Sequence, residues 1–380
     1  MVIRSLGFGG AEHILSMMAN YWSRRGVAIT FIISTPEEEI DYWDLDPAIN
    51  LVRLPLKKLN FMHRLGFPWS LRSLRRAIKK TAHPVVLSFM DRSNIPVILA
   101  TRGLGKKVIL AERIDPRTQG YSFMRRLLMR FCYPRADALT VLTENIKREW
   151  ADNVINSRKV HVIHNPVRPQ DSNDLPVPDW LPDKFICCMG RLHRQKGFDL
   201  LFDLLPDIFA KFPQYKLVIL GEGVERAGLE ERLKNLGLED RVLMPGFIAH
   251  PHVIMRESDL FVFPSRWEGF PNALLEAMSL GMPVISFDCP SGPGVLINHE
   301  VNGILTPPGD AEALRRQIER LLGDPVLRST LGAQAKRDVN SSCRQEDIMA
   351  AWESLIDRVI QKKKVMAPII TKMCFYEKEI

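Results

Sequence analysis

The six cysteines in 380 residues stand at Cys132, Cys187, Cys188, Cys289, Cys343 and Cys374, with no C-x-x-C pair and no histidine cluster beside them. Without either, no zinc site or disulfide framework can be read, and a reducing cytoplasm is the expected setting. No apolar stretch approaches the roughly 20 residues that span a bilayer. Met1 to Arg4 run into a glycine loop instead of a signal peptide's apolar region. Membrane contact is therefore expected to be peripheral. A G-x-G-x-x-G fingerprint is also missing, "GFGGAE" being another pattern, which argues against a nicotinamide enzyme. Nucleic acid is not an expected partner either, since no zinc-finger or RNA-binding signature occurs.

What is present is ordinary for a folded protein: 46% hydrophobic and 25% charged residues. The length exceeds the roughly 250–300 residues at which one core usually splits in two. Charge is unevenly distributed. Residues 1–170 hold 27 Lys+Arg against 14 Asp+Glu, a net +13, which leaves the remainder at −5 of the overall +8. Such asymmetry points to an anionic surface or substrate for the first half. Residues 57–80 carry eight Lys+Arg and no acid, interleaved with Phe61, Met62, Leu65, Phe67 and Trp69. This suits the surface of an anionic leaflet, while Leu71, Leu74 and Ile78 suit an ordinary core-facing helix.

Short β-branched runs ("VAITFIIS", "PVVLSF", "KVILAE", "ADALTVLT") alternate with helical spacing over 11–25, 70–81 and 120–132. After the proline-rich stretch 164–183 the rhythm restarts with "KFICCMG", "YKLVILG", "DLFVFPS" and "MPVISF". Two doubly wound α/β domains are expected, 1–165 and 184–343, joined by a linker at 166–183. A helix over 344–361 packs back toward the first domain. Residues 362–380 form a loose tail, or alternatively a surface strand. The first strand is short for such a sheet, so a fuller strand starting upstream of Met1 is expected.

The stretch "SRWEGFPNALLEAM", residues 265–278, places Glu268 and Glu276 around Gly269, Pro271 and Asn272. Pro271 suits the first position of a helix, and Gly281 followed by Pro283 stops it. Unpaired first-turn amides behind a glycine make a diphosphate site. Glu276, one turn in, can accept hydrogen bonds from ribose hydroxyls. Either glutamate alone is more commonly a cap or an exposed acid, and it is the combination that points to a site. In "GRLHRQKG", residues 190–197, Arg191 and Lys196 can close over a phosphate, although a basic loop alone is commonly just solvated. A glycoside hydrolase is disfavoured. Retaining hydrolases hold carboxyl groups about 5–5.5 Å apart, whereas eight helical residues rise roughly 12 Å.

"GRLHRQKGFDLL", "LGEG", "VLMPGF", "SRWEGFPNALLEAMSLGMPVIS" and "NGILTPPGD", in this order, resemble the donor domain of retaining glycosyltransferases of family 4, the glycosyl group 1 family, and "GFGGAE" is typical of their first domain. The resemblance covers essentially 1–361. It implies the GT-B fold, in which two Rossmann-like domains face a central cleft. It also implies a retaining hexosyltransferase that needs no metal or cofactor. Arg191, Lys196 and Glu268 would be catalytic. Gly9, Gly10, Gly190, Phe247, Gly269, Phe270, Asn272, Ala273 and Glu276 would bind the donor. The donor would be a UDP-sugar, with GDP-mannose as alternative, and the acceptor a saccharide or lipid-linked sugar of cell-surface polymers. The enzyme would be peripheral at the inner face of the cytoplasmic membrane, held through 57–80. A nucleotide-sugar epimerase on the same scaffold is the other reading. Where many relatives carry histidine, this chain has Glu112-Arg113, assigned to the acceptor side, with an Arg113 salt bridge to Asp115 or Glu112 as the alternative.

Overall fold

Apolar runs alternating with amphipathic stretches fold as βαβ units, and they do so twice. The computed structural model describes residues 1–7, 9–34, 41–54, 71–167 and 175–361. Most of the basic segment 57–80, the centre of the linker and the tail 362–380 lie outside the described residues. The chain divides into two units, Met1–His164 with the chain from Glu346, and Asn165–Gln345. The first holds α1 (Gly10–Ser23), β1 (Thr30–Ile33), β2 (Asn50–Arg53), α2 (Leu71–Lys80), β3 (Val85–Phe89), α3 (Asp91–Thr101), β4 (Lys107–Ala111), α4 (Phe123–Cys132), β5 (Ala138–Val141), α5 (Glu144–Asn153) and β6 (Val160–Val162). The second holds β7 (Phe185–Met189), α6 (Phe198–Phe202), α7 (Leu205–Lys211), β8 (Lys216–Leu220), α8 (Arg226–Leu236), β9 (Val242–Gly246), α9 (Pro251–Met255), β10 (Leu260–Phe263), α10 (Asn272–Leu280), β11 (Val284–Phe287), β12 (Ile304–Thr306), α11 (Ala311–Gly323) and α12 (Pro325–Ser342). A last helix, α13 (Gln345–Gln361), returns the chain to the first unit.

In the first unit every strand pairing is parallel. The first strand is reduced to Val2, which bridges in parallel to Ile32 of β1 and to Ser88 of β3 and so joins β2–β1 to β3–β4–β5–β6. Strands buried on both faces need helices on both sides. α2, α3, α4 and α5 bury Leu74, Ile78, Ile95, Ile98, Met129, Ile146 and Trp150 in one core. A second core sets Ile14, Leu15 and Met18 of α1 and Ile348, Met349, Trp352 and Leu355 of α13 against Phe31, Phe89 and Ile109. Helix starts follow local chemistry: Ser122 and Thr143 accept hydrogen bonds from the backbone N–H groups of Arg125 and Ile146.

The second sheet runs β12–β11–β10–β7–β8–β9, also all parallel. From β7 the chain moves outward through β8 and β9, then jumps to β10 and moves the other way. The order therefore reverses between β7 and β10, the point where a doubly wound sheet opens a crevice at its carboxyl ends. The helix α10 that follows spans the residues expected of it, except that Pro271 sits at the N-cap and Asn272 begins the helix. Gly281 closes it at φ +83°, a left-handed turn that glycine adopts without steric cost.

Candidate functional site

Two loops leave the second sheet at the reversal, 190–197 after β7 and 264–271 after β10, and they are laced together. Gln195 Nε2 donates to the Trp267 carbonyl at 2.8 Å, and the Arg266 N–H donates to the Gln195 carbonyl at 2.8 Å. Arg266 Nη1 and Nη2 reach the Asp199 carboxylate at 2.7 and 2.6 Å, and these hydrogen bonds hold the Asp199 carboxyl below its ordinary range. Lys196 lies in the 3₁₀ turn Arg194–Lys196, and its Nζ meets Glu268 Oε1 at 2.7 Å. Both side chains are largely withdrawn from water, 14% and 6% exposed. The Lys196 ammonium also stands 4.8 Å from the Phe263 ring centroid.

Missing side chains make this arrangement possible. Gly197 has φ +69°, and a Cβ there would lie 2.0 Å from the Pro264 carbonyl oxygen. Gly197→Ala is therefore expected to destabilise the protein by at least about 2 kcal/mol, read by urea unfolding; an unchanged midpoint would refute this reading of the turn. A Cβ at Gly190 would come within 3.0 Å of the Lys196 stem, and one at Gly292 within 2.8 Å of Glu268 Cβ. Gly221 and Gly223 bring their backbone against the Gly190 and Leu192 carbonyls, where a Cβ would sit 2.0 and 2.3 Å away.

Other residues of the site are placed as follows. Arg191 is exposed, and among the described residues no hydrogen bond or ion pair engages its side chain. At α10 the helical ladder begins with the Leu275 N–H on the Pro271 carbonyl at 2.9 Å, so earlier amides such as that of Ala273 belong to the turn that intrahelical bonds cannot use. Asn272 Oδ1 accepts from the buried Asn165 at 2.7 Å. Gly269 and Phe270 are buried in the loop, Glu276 is half-buried one turn in, and Phe247 follows β9 with 38% exposure. The structure thus unites Lys196, Glu268 and the α10 N-terminus, with Arg191 in the same loop as Lys196. Asn165, Gln195, Gly221, Gly223 and Gly292 were not found by sequence reasoning. "LGEG" pointed at two of them, but only contacts across 30 or more positions reveal their packing. Cys289 lies close to Glu268, and its thiol is pushed up to about 12 by burial and then by Glu268.

In the first unit, Gly9 is the extended N-cap of α1 and Gly10 its first residue. Glu112 and Arg113 follow β4 with only 1% and 7% exposure. Asn94 Nδ2 donates to Glu112 Oε1 at 2.7 Å, and the Tyr133 hydroxyl donates to the same oxygen. Burial, then the nearby Asp91, raises the Glu112 carboxyl to about 8. Asp91 is itself raised by burial and pairs with Arg125 at 2.6 Å. Arg113 packs its guanidinium 4.5 Å from the Phe89 ring centroid, and burial lowers it to about 9. Asp115 holds Arg117 at 2.6 Å.

A model of glycosyl transferases group 1 matches residues 176–338, and a model of glycosyltransferase family 4 matches residues 8–171. The chain belongs to the group 1 glycosyl transferases. The transferase is 25% identical over 354 residues to the N-acetylgalactosamine-N,N'-diacetylbacillosaminyl-diphospho-undecaprenol 4-alpha-N-acetylgalactosaminyltransferase of Campylobacter jejuni, covering 88% of this chain and 92% of the relative. Its fold matches sucrose-phosphate synthase of Thermosynechococcus elongatus with a TM-score of 0.80 at 20% identity, over 95% and 98% of the two chains. Anabaena HepE, solved in complex with UDP and glucose, matches with a TM-score of 0.77 at 18% identity over 93% and 98%. The fold of the transferase is GT-B, with two Rossmann-like domains of parallel sheet. Among the described residues no helix is long and apolar enough to cross a membrane.

Proposed function

We propose that this transferase moves a hexose from a UDP-sugar to a lipid-linked or saccharide acceptor of a cell-surface glycan, with retention at the anomeric carbon. The observation that carries this reading is the buried Lys196–Glu268 pair at the strand-order reversal of the second sheet, laced to the loop that starts α10. Lys196 and the exposed Arg191 meet the diphosphate, and the amides from Gly269 to Ala273 add oriented dipoles. Glu276 takes the ribose hydroxyls, Phe247 lies beside the base, and Gly190 leaves room for the Lys196 stem. Glu268 faces the transferred sugar. In the first unit, the family resemblance assigns Gly9 and Gly10 to the sugar phosphate and Glu112 with Arg113 to the acceptor.

In the transfer, the bond from the anomeric carbon to the diphosphate oxygen breaks. The acceptor oxygen bonds to the same face, and its proton passes to the departing oxygen. No strong protein base is needed, and the two cations do the neutralising without a metal. The Campylobacter relative is named for a diphospho-undecaprenol acceptor and HepE was solved with UDP and glucose, which supports the donor and acceptor classes proposed. We place the enzyme at the cytoplasmic face of the membrane, because its cysteines suit a reducing compartment and the proposed acceptor is lipid-linked.

Thermal unfolding across a panel of nucleotide-sugars tests the reading. A UDP-hexose at a hundred times its Kd is expected to stabilise the fold by about 2.7 kcal/mol. Stabilisation by GDP-mannose alone, or by none of the panel, would overturn the donor assignment. The anomeric configuration of the product, read by proton NMR coupling, tests retention.

A further inference from the structure

Exposed apolar side chains are normally scattered singly. Here four of the fourteen large ones among the described residues fall on the ten-residue helix α4: Phe123 at 75% exposure, Phe131 at 59%, Met124 at 49% and Leu127 at 37%. At about 100° per residue they occupy one arc of roughly 100°. Met129 and Cys132, on the opposite side, fill the core. Arg126 and Arg130, both exposed, border the arc.

The neighbouring helices continue the theme. α2 and α4 both pack against α3, on the same side of the first sheet. α2 exposes Arg72, Arg76, Lys79 and Lys80, and α3 exposes Arg92. Neither α2 nor α4 contains an acid, and the one acid of α3, Asp91, is buried against Arg125. The outer face of three consecutive helices is therefore cationic without a compensating carboxylate, around an apolar strip. A soluble acidic partner would account for the charge but not for two phenylalanines left largely in water. An anionic bilayer accounts for both: headgroups meet the cations, and the strip enters the acyl boundary.

We propose that the face made by α2, α3 and α4 docks on an anionic lipid bilayer, with Phe123, Met124, Leu127 and Phe131 as the inserted residues. This deepens the reading above and rests on it for the acceptor, which a lipid-linked sugar would present at that surface. It assigns the contact to described helices beyond the basic segment 57–70.

The test is flotation of the full chain with 3:1 phosphatidylethanolamine–phosphatidylglycerol vesicles and, separately, with phosphatidylcholine vesicles. No nucleotide-sugar is present, so failure here is distinguishable from failure of the donor assignment. The parent chain is expected to float with the anionic vesicles only, less as salt rises. F123S/F131S should lower its partitioning about 30-fold or more. R126E/R130E should lower it at least about 25-fold at low salt, each cation being worth roughly fivefold. Both variants should keep the parent's unfolding midpoint and donor hydrolysis rate. Four outcomes overturn the proposal: a parent chain that does not float; F123S/F131S floating like the parent; loss of flotation on replacing Lys57, Lys58 and Arg64 by serine while F123S/F131S still floats; or a parent dimer that F123S/F131S converts to monomer, which would make the face a protein interface.

Discussion

Lys196→Ala is expected to lose about 10²- to 10³-fold in kcat, because in the proposed function Lys196 is a preorganised cation that stabilises charge growing on the leaving diphosphate. The structure adds a second expected consequence. Lys196 and Glu268 form a largely buried pair at 2.7 Å, so removing the lysine strands a carboxylate at a site 6% exposed. Breaking one partner of such a pair typically costs about 3–5 kcal/mol. A turnover assay alone would therefore confound catalysis with folding. The variant K196A/E268Q separates them, since a neutral amide at 268 relieves the unpaired charge. It should recover most of the stability in urea unfolding and none of the turnover. Turnover within tenfold of the parent in K196A would refute the catalytic role.

The second large effect concerns the first unit, where Glu112 is buried and raised to about 8. In the unfolded chain a glutamate titrates near roughly 4.3, so between these values the folded protein holds one proton more than the unfolded one. Stability from this group is complete below the lower value and lost as pH rises through the upper one, at about 1.4 kcal/mol per pH unit. Glutamine keeps the oxygen that accepts from Asn94 and Tyr133 but cannot ionise. Glu112→Gln should match the parent near pH 4.5 and exceed it by about 4 kcal/mol near pH 8. The difference between the two proteins is the diagnostic. Other groups titrate in the same window with the opposite sign, among them the Met1 ammonium, which burial pushes down to about 5. Asp91, Arg125, Tyr121, Tyr133 and Arg113 surround the carboxyl and are common to both proteins. Parallel stability curves would show that Glu112 is ionised in the fold.

Much of the architecture was legible because parallel strands buried on both faces leave continuous apolar runs, and those at "FICCM", "LVIL" and "LFVF" are such strands. α10 was legible to within one residue at its start, and its end is marked by a glycine that the left-handed turn demands. α3 was not foreseen. It is buried on nearly every side and carries Pro96, so it shows no amphipathic period. β2, β6 and β12 have only three or four residues, too few for a pattern.

For the candidate site, the turns that carry the charged residues were legible and the connection between them was not. Arg191, Lys196, Glu268 and Glu276 follow from residue type beside a turn. The bond between Lys196 and Glu268 joins positions 72 apart, and nothing local encodes it. Likewise, Glu112 gave no sign that Tyr133 and Asn94 would hold it. Helical spacing over 120–132 located α4 but not its outward side, because apolar residues lie on both faces.

The path of the chain has a consequence during synthesis. The second unit is an insertion: Val167 N–H bonds the Cys343 carbonyl at 2.7 Å where the polypeptide enters and leaves it, and only then does α13 supply Ile348, Met349, Trp352 and Leu355 to the first unit. At about 5–20 residues per second, the ribosome takes on the order of 10–40 s to pass through the insertion. Throughout that interval the nascent first unit shows a greasy flank formed by Phe31, Phe89 and Ile109. Chaperone demand should therefore fall on its earliest half and end when the last helix leaves the tunnel.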